Sequence, residues 1–133
     1  MAKTIFEIDL SSRSISEQEV PPDLCRLGGR GLTSTLIHRE VDPLCHPLAS
    51  ENLLVIAPGL LAGTGLSSAN RLSAGAKSPL TGGIKESNSG GTAAFKLARL
   101  GIAALKFRGA APRGHCLGLY VSRGGIRFED LSF

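Results

Sequence analysis

The chain has 133 residues, 42% of them hydrophobic and 20% charged, which suffices for the core of one domain, so the chain need not be disordered. Three scattered cysteines (Cys25, Cys45, Cys116) are too few for a disulfide framework, no run reaches the ~18 apolar residues of a membrane span, and residues 1–7 lack a signal-peptide core, so a reducing, cytoplasmic setting is expected. The net charge of +4 is uneven: residues 1–70 carry five Lys/Arg against eight acids and residues 71–133 ten against three, so the second half favours an anionic partner such as nucleic acid, a phosphorylated cofactor or an acidic protein.

Phe6, Ile8 and Leu10 alternate with Glu7 and Asp9, the period of a half-buried strand. A turn at Ser11-Ser12-Arg13 lets residues 14–20 return as a hairpin partner, which Pro21-Pro22 ends. After Gly28-Gly29-Arg30-Gly31, the positions Leu32, Leu36, Ile37 and Val41 fit one side of a short helix that Pro43 would stop. The run from Leu53 to Ala57 reads as a strand buried on both faces, and residues 58–70 as a loop of small residues. Arg71 to Lys77 alternates again, and Ser78-Pro79-Leu80-Thr81-Gly82-Gly83 is a turn. The cluster Ser87-Asn88-Ser89-Gly90-Gly91 leads directly into a helical pattern with Phe95, Leu97, Ala98 and Leu100, for which Gly101 is a suitable C-terminal cap. Residues 102–107, 115–121 and 126–128 are strand-like. The predicted fold class is α+β, a β-rich domain of mostly antiparallel strands with two short helices, because the strands follow one another in hairpin-like succession.

Metal-centre chemistry is disfavoured. Cys45-His46 and His115-Cys116 pair the right residue types, but neighbours on a strand point to opposite faces and no Cys-x-x-Cys occurs. Nucleophile motifs are missing, and the two small-residue loops offer no carboxylate besides Glu86, so there is no obvious acid–base pair. Phosphate binding fares better. A helix start preceded by Ser89, Gly90 and Gly91 offers free backbone N–H groups, Asn88 adds an amide that can donate to phosphate or ligate Mg²⁺, and Arg71 can supply a two-pronged guanidinium. The nucleotide P-loop pattern is absent.

Lys77-Ser78-Pro79-Leu80-Thr81-Gly82 followed by Asn88-Ser89-Gly90-Gly91 resembles the N-terminal domain of the aldehyde ferredoxin oxidoreductase family. Gly29-Arg30-Gly31-Leu32, Asp42-Pro43, Pro47-Leu48, Ser50-Glu51-Asn52, Gly63-Thr64 and the stretch from Leu97 to Gly109-Ala110 fit the same pattern in register. The chain departs from it at Gly59-Leu60-Leu61-Ala62-Gly63, at Thr92-Ala93-Ala94 after the glycine pair, and at Arg108, where an acid is usual.

The resemblance implies that residues 1–133 are a single, partial N-terminal domain that cradles a tungstopterin, a bis-molybdopterin carrying tungsten or molybdenum, with Mg²⁺ bridging its phosphates. By the same resemblance Arg71 meets phosphate, Asn88 helps hold the magnesium, Gly90 offers a backbone contact to the pterin beside Ser89 and Gly91, and Arg30 is a weaker candidate. Catalytic groups and the [4Fe–4S] cluster would lie in the remaining domains or a companion subunit, with ferredoxin meeting the complete enzyme, and this chain alone would be inactive. The alternative is a non-enzymatic module that pairs with itself or another subunit through an open sheet edge. Nucleic acid ranks last, since no aromatic stacking platform or basic helix accompanies the charge.

Overall fold

The computed structural model describes residues 3–131. Six strands form one sheet: β1 (Thr4–Asp9), β2 (Ser14–Glu19), β3 (Leu54–Pro58), β4 (Leu72–Lys77), β5 (Ile84–Ser89) and β6 (Ile102–Arg108), in the order β2-β1-β6-β3-β4-β5. Among the described residues only the β1–β6 contact is parallel. Helix α1 (Gly29–Glu40) packs on β3, β4 and β5, helix α2 (Ala93–Arg99) leads into β6, and β7 (Leu117–Ser122) with β8 (Gly125–Asp130) makes a separate antiparallel hairpin. The α+β expectation holds.

Each face of the sheet has its own core. Leu32, Leu36 and Ile37 of α1 form an i, i+4, i+5 stripe and bury Ile5, Val55, Ala57 and Ala104 on one side. On the other side Ile8, Ile102 and Leu105 are covered by Leu97 and by Leu119, Val121, Ile126 and Phe128 of the hairpin. Strand β1 is therefore enclosed on both faces rather than half-buried, because the hairpin from the end of the chain returns over it. Strand β3 also differs from expectation at its start: Val55 and Ala57 are buried, but Leu54 is 42% exposed.

Helix α1 ends at Glu40, three positions before Pro43, as the proline requires. Its entry is tight. A Cβ on Gly28 would stand 2.4 Å from the Leu60 backbone nitrogen, so only glycine lets the 58–70 loop lie against the helix start. Gly101 closes α2 at φ 78°, with its N–H donating to Ala98 O.

Charges are buried beside the helix-side core. Lys106 is 2% exposed, and its Nζ lies 2.7 Å from both Glu7 Oε2 and Glu40 Oε2. Arg108 joins the same two carboxylates at 3.3 and 2.5 Å. Lys77 Nζ donates to the carbonyls of Pro43 and Cys45 and ties the segment after α1 to β4. No helix among the described residues is long and apolar enough to cross a membrane.

Candidate anion-binding site

Strands β4 and β5 pair with Ser73 opposite Asn88, Gly75 opposite Glu86 and Lys77 opposite Ile84. Opposed residues share a face, and this one lies under α1. Strand β4 buries Ser73, Gly75 and Lys77 and leaves Leu72, Ala74 and Ala76 half-buried, the reverse of what polarity suggests. The reason is clearance. A side chain at Gly75 would meet Thr33 of α1 at 3.1 Å, so the helix approaches over the residue without one.

This pairing corrects one expectation. Asn88 and Ser89 lie at the end of β5, not at a helix start, and α2 begins only at Ala93 with seven residues. Gly90 and Gly91 form the bend between them, with Gly91 at φ 116°. The Ser89 hydroxyl donates back to Gly90 O at 3.0 Å, and Thr92 at the helix cap makes no side-chain cap bond. Small polar residues read as loop in the sequence, whereas pairing with β4 makes them strand.

The structure places Arg71 beside Asn88 and Gly90. Arg71 sits one position before β4, its carbonyl accepting from Gly59 N at 2.8 Å and its N–H donating to Ala69 O at 3.0 Å. Its Nε donates to Asn88 Oδ1 at 2.5 Å, and Asn88 Nδ2 donates to Ser73 Oγ at 3.0 Å. A Cβ on Gly90 would stand 3.6 Å from Arg71 Nη1. Ser68, Asn70, Arg71, Gly90 and Gly91 line an open pocket of about 350 Å³. Asn70 spends its Oδ1 on Gly63 N, which leaves its NH₂ as a donor. No carboxylate, thiol or imidazole is among these five residues. A donor-rich pocket with one fixed guanidinium suits an anion.

Asn88 does not line the pocket, and its oxygen is engaged by Arg71. Arg30, the weaker candidate, does not line the pocket either; its side chain is 76% exposed and its Nε donates to Glu86 Oε2 at 2.7 Å. Glu86 is only 7% exposed in its side chain. Burial works against its charge, yet the Ser73 hydroxyl, then the Arg30 guanidinium and the Asn88 amide, hold its carboxyl below the ordinary 4.5. Sequence reasoning missed Ser68, Asn70 and Ser73 as parts of this site and took Glu86 only as an isolated acid. Ser73 carried a usable signal, a hydroxyl in register with Gly75 and Lys77 on an alternating strand.

Comparison with known proteins finds relatives along nearly the whole chain. Residues 5–133 match the family model described as aldehyde ferredoxin oxidoreductase, N-terminal domain. The tungsten-containing aldehyde ferredoxin oxidoreductase of Pyrococcus furiosus is 36% identical over 129 residues, which cover 96% of this chain and 21% of that protein. Its counterpart from Thermococcus kodakarensis is 33% identical over the same shares. Among solved structures, the active site complex BamBC of benzoyl coenzyme A reductase, in complex with 1,5-dienoyl-CoA, superposes with a TM-score of 0.92 at 31% identity and covers 99% of this chain and 21% of that one. The chain thus spans about a fifth of the length of the curated relatives it matches, at 21%. On these grounds the chain belongs to the aldehyde ferredoxin oxidoreductase family and carries the sequence and fold of its N-terminal domain.

Proposed function

We propose that this chain is the N-terminal part of a tungsten-dependent aldehyde:ferredoxin oxidoreductase and that it cradles the phosphate end of a bis-pterin cofactor. One observation carries the reading: the Arg71 guanidinium, braced by Asn88, stands over bare backbone at Gly90 beside an open pocket. Arg71 keeps its Nη donors for a phosphate, and the glycine backbone, with no side chain in the way, lets the anion approach the main chain. Ser89 acts through its backbone, since its hydroxyl is already spent on Gly90. The bound cofactor would supply the tungsten at which an aldehyde is oxidised. The similarity extends both to aldehyde ferredoxin oxidoreductases and to a benzoyl coenzyme A reductase complex, as expected of a part that holds a cofactor rather than a substrate.

Magnesium is a separate matter. Asn88 Oδ1 accepts from a guanidinium, so a directly bound Mg²⁺ must use the other lone pair beside a like charge, or Arg71 Nε must release it. The [4Fe–4S] cluster, the groups around the substrate and the ferredoxin contact are assigned to the length that the relatives have beyond the 21% matched by this chain. Leu44 and Leu80, each 92% exposed, and Leu48 at 76% are surfaces those segments would cover.

Tungsten and pterin content of the intact enzyme, measured for the wild type, Arg71→Lys and Arg71→Ala, tests the reading. Lysine keeps the charge but not the fork, so content should fall partly in Arg71→Lys and about tenfold in Arg71→Ala. Full tungsten and pterin content in a folded Arg71→Ala enzyme refutes it.

A further inference from the structure

Among the described residues, one buried side-chain oxygen or nitrogen has no hydrogen-bond partner: Glu86 Oε1. An orphaned carboxylate oxygen is costly, so its surroundings should explain it. Glu86 lies beneath α1, opposite Gly75, and Ser73 is one cross-strand step away. Ser73 is 1% exposed, and the start of α1 covers it so closely that a side chain on Gly29 would meet Ser73 Oγ at 3.3 Å. Its oxygen accepts from Asn88, which leaves the hydroxyl proton free to face the Glu86 carboxylate.

We propose that Glu86 is a positioning residue for Arg71, acting through Ser73 and Asn88. Polarity fixes the direction of each bond in the relay. A carboxylate only accepts and a guanidinium only donates. With Glu86 at one end, the Ser73 hydroxyl donates to it and turns its lone pairs to Asn88. Asn88 must then give its NH₂ to Ser73 and present its oxygen outward, and that oxygen accepts from Arg71 Nε. An asparagine amide can be turned either way by its neighbours, and here a charged group at each end admits one direction only. Arg30 closes the carboxylate's other oxygen and keeps Glu86 ionised from the solvent side. The orientation of the guanidinium at the pocket is thus set by an acid that lies outside it, a role distinct from contact with any ligand.

The consequence for cofactor retention rests on the phosphate-cradle reading, whereas the positioning itself does not. Glu86→Gln preserves size but allows the new amide to donate to Ser73, which reverses the relay and turns the Asn88 NH₂ towards Arg71. The intact enzyme carrying Glu86→Gln is crystallised free of cofactor, and separately assayed for tungsten and pterin after growth with tungstate. The expected result is loss of the Arg71 Nε–Asn88 Oδ1 contact and a fall in cofactor content of about fivefold to tenfold, with circular dichroism unchanged. An intact Arg71–Asn88 contact in the variant overturns the positioning role, whether or not cofactor is lost. A broken contact with full cofactor content supports the positioning role and overturns the cradle reading instead. Should Glu86→Gln not fold, Ser73→Ala cuts the same relay one step later and must break the same contact.

Discussion

Replacing Lys106 with methionine is the most informative perturbation of the fold. Methionine approximates the volume of the lysine stem and removes only the charge, whose Nζ pairs with Glu7 and Glu40 at 2.7 Å each. Deleting one partner of a fully buried pair costs about 3–5 kcal/mol. Here the Lys106 side chain is 3% exposed, but Glu7 and Glu40 are 37% and 25% exposed, and Arg108 still reaches both. Solvent screening and the surviving arginine reduce the penalty to about 2 kcal/mol, which lowers the melting midpoint by about 5–8 °C for a unit of this size. Acid should erase the difference. The Lys106 ammonium is the largest influence on Glu7 and, with Arg108, holds its carboxyl below 4.5. Stability from a depressed carboxyl is complete above that unfolded value and is lost as pH falls through the lower folded one. Urea denaturation followed by circular dichroism, with wild type and Lys106→Met compared at about pH 7 and about pH 2.5, reads both effects. Equal midpoints at neutral pH, or a gap that persists undiminished in acid, would refute the reasoning.

Gly90→Ala should separate folding from cofactor binding. Its methyl makes only an ordinary 3.6 Å contact with Arg71 Nη1, so stability should change by less than about 0.5 kcal/mol, while tungsten content falls because the bare backbone is gone. Unaltered tungsten and pterin in the intact Gly90→Ala enzyme would place the phosphate elsewhere. Gly28→Ala should do the opposite, since its Cβ falls 2.4 Å from one Leu60 backbone atom and 2.8 Å from another, neither of which can rotate away. A loss of about 2–3 kcal/mol in chemical denaturation is expected, and a neutral result would mean that the 58–70 loop is not held against α1.

The apolar stripe of α1 and the proline beyond its end determined that helix, and alternation with intervening turn residues located most of the strands. The chain also declared its small-residue loops and the single arginine between them, which is why Arg71, Gly90 and Gly91 could be grouped before any coordinates. Local pattern stops there, because a period of two says that a strand has two faces and not which one is covered. Only the tertiary structure decided that β4 buries Ser73, Gly75 and Lys77, since clearance for α1 outweighs the apolarity of Leu72, Ala74 and Ala76. The same packing drew Asn88 and Ser89 into β5, enclosed β1 under a hairpin more than a hundred residues away in sequence, and brought Glu86 beneath the helix. Each outcome depends on pairing between distant segments, whose energy appears only when both are in place.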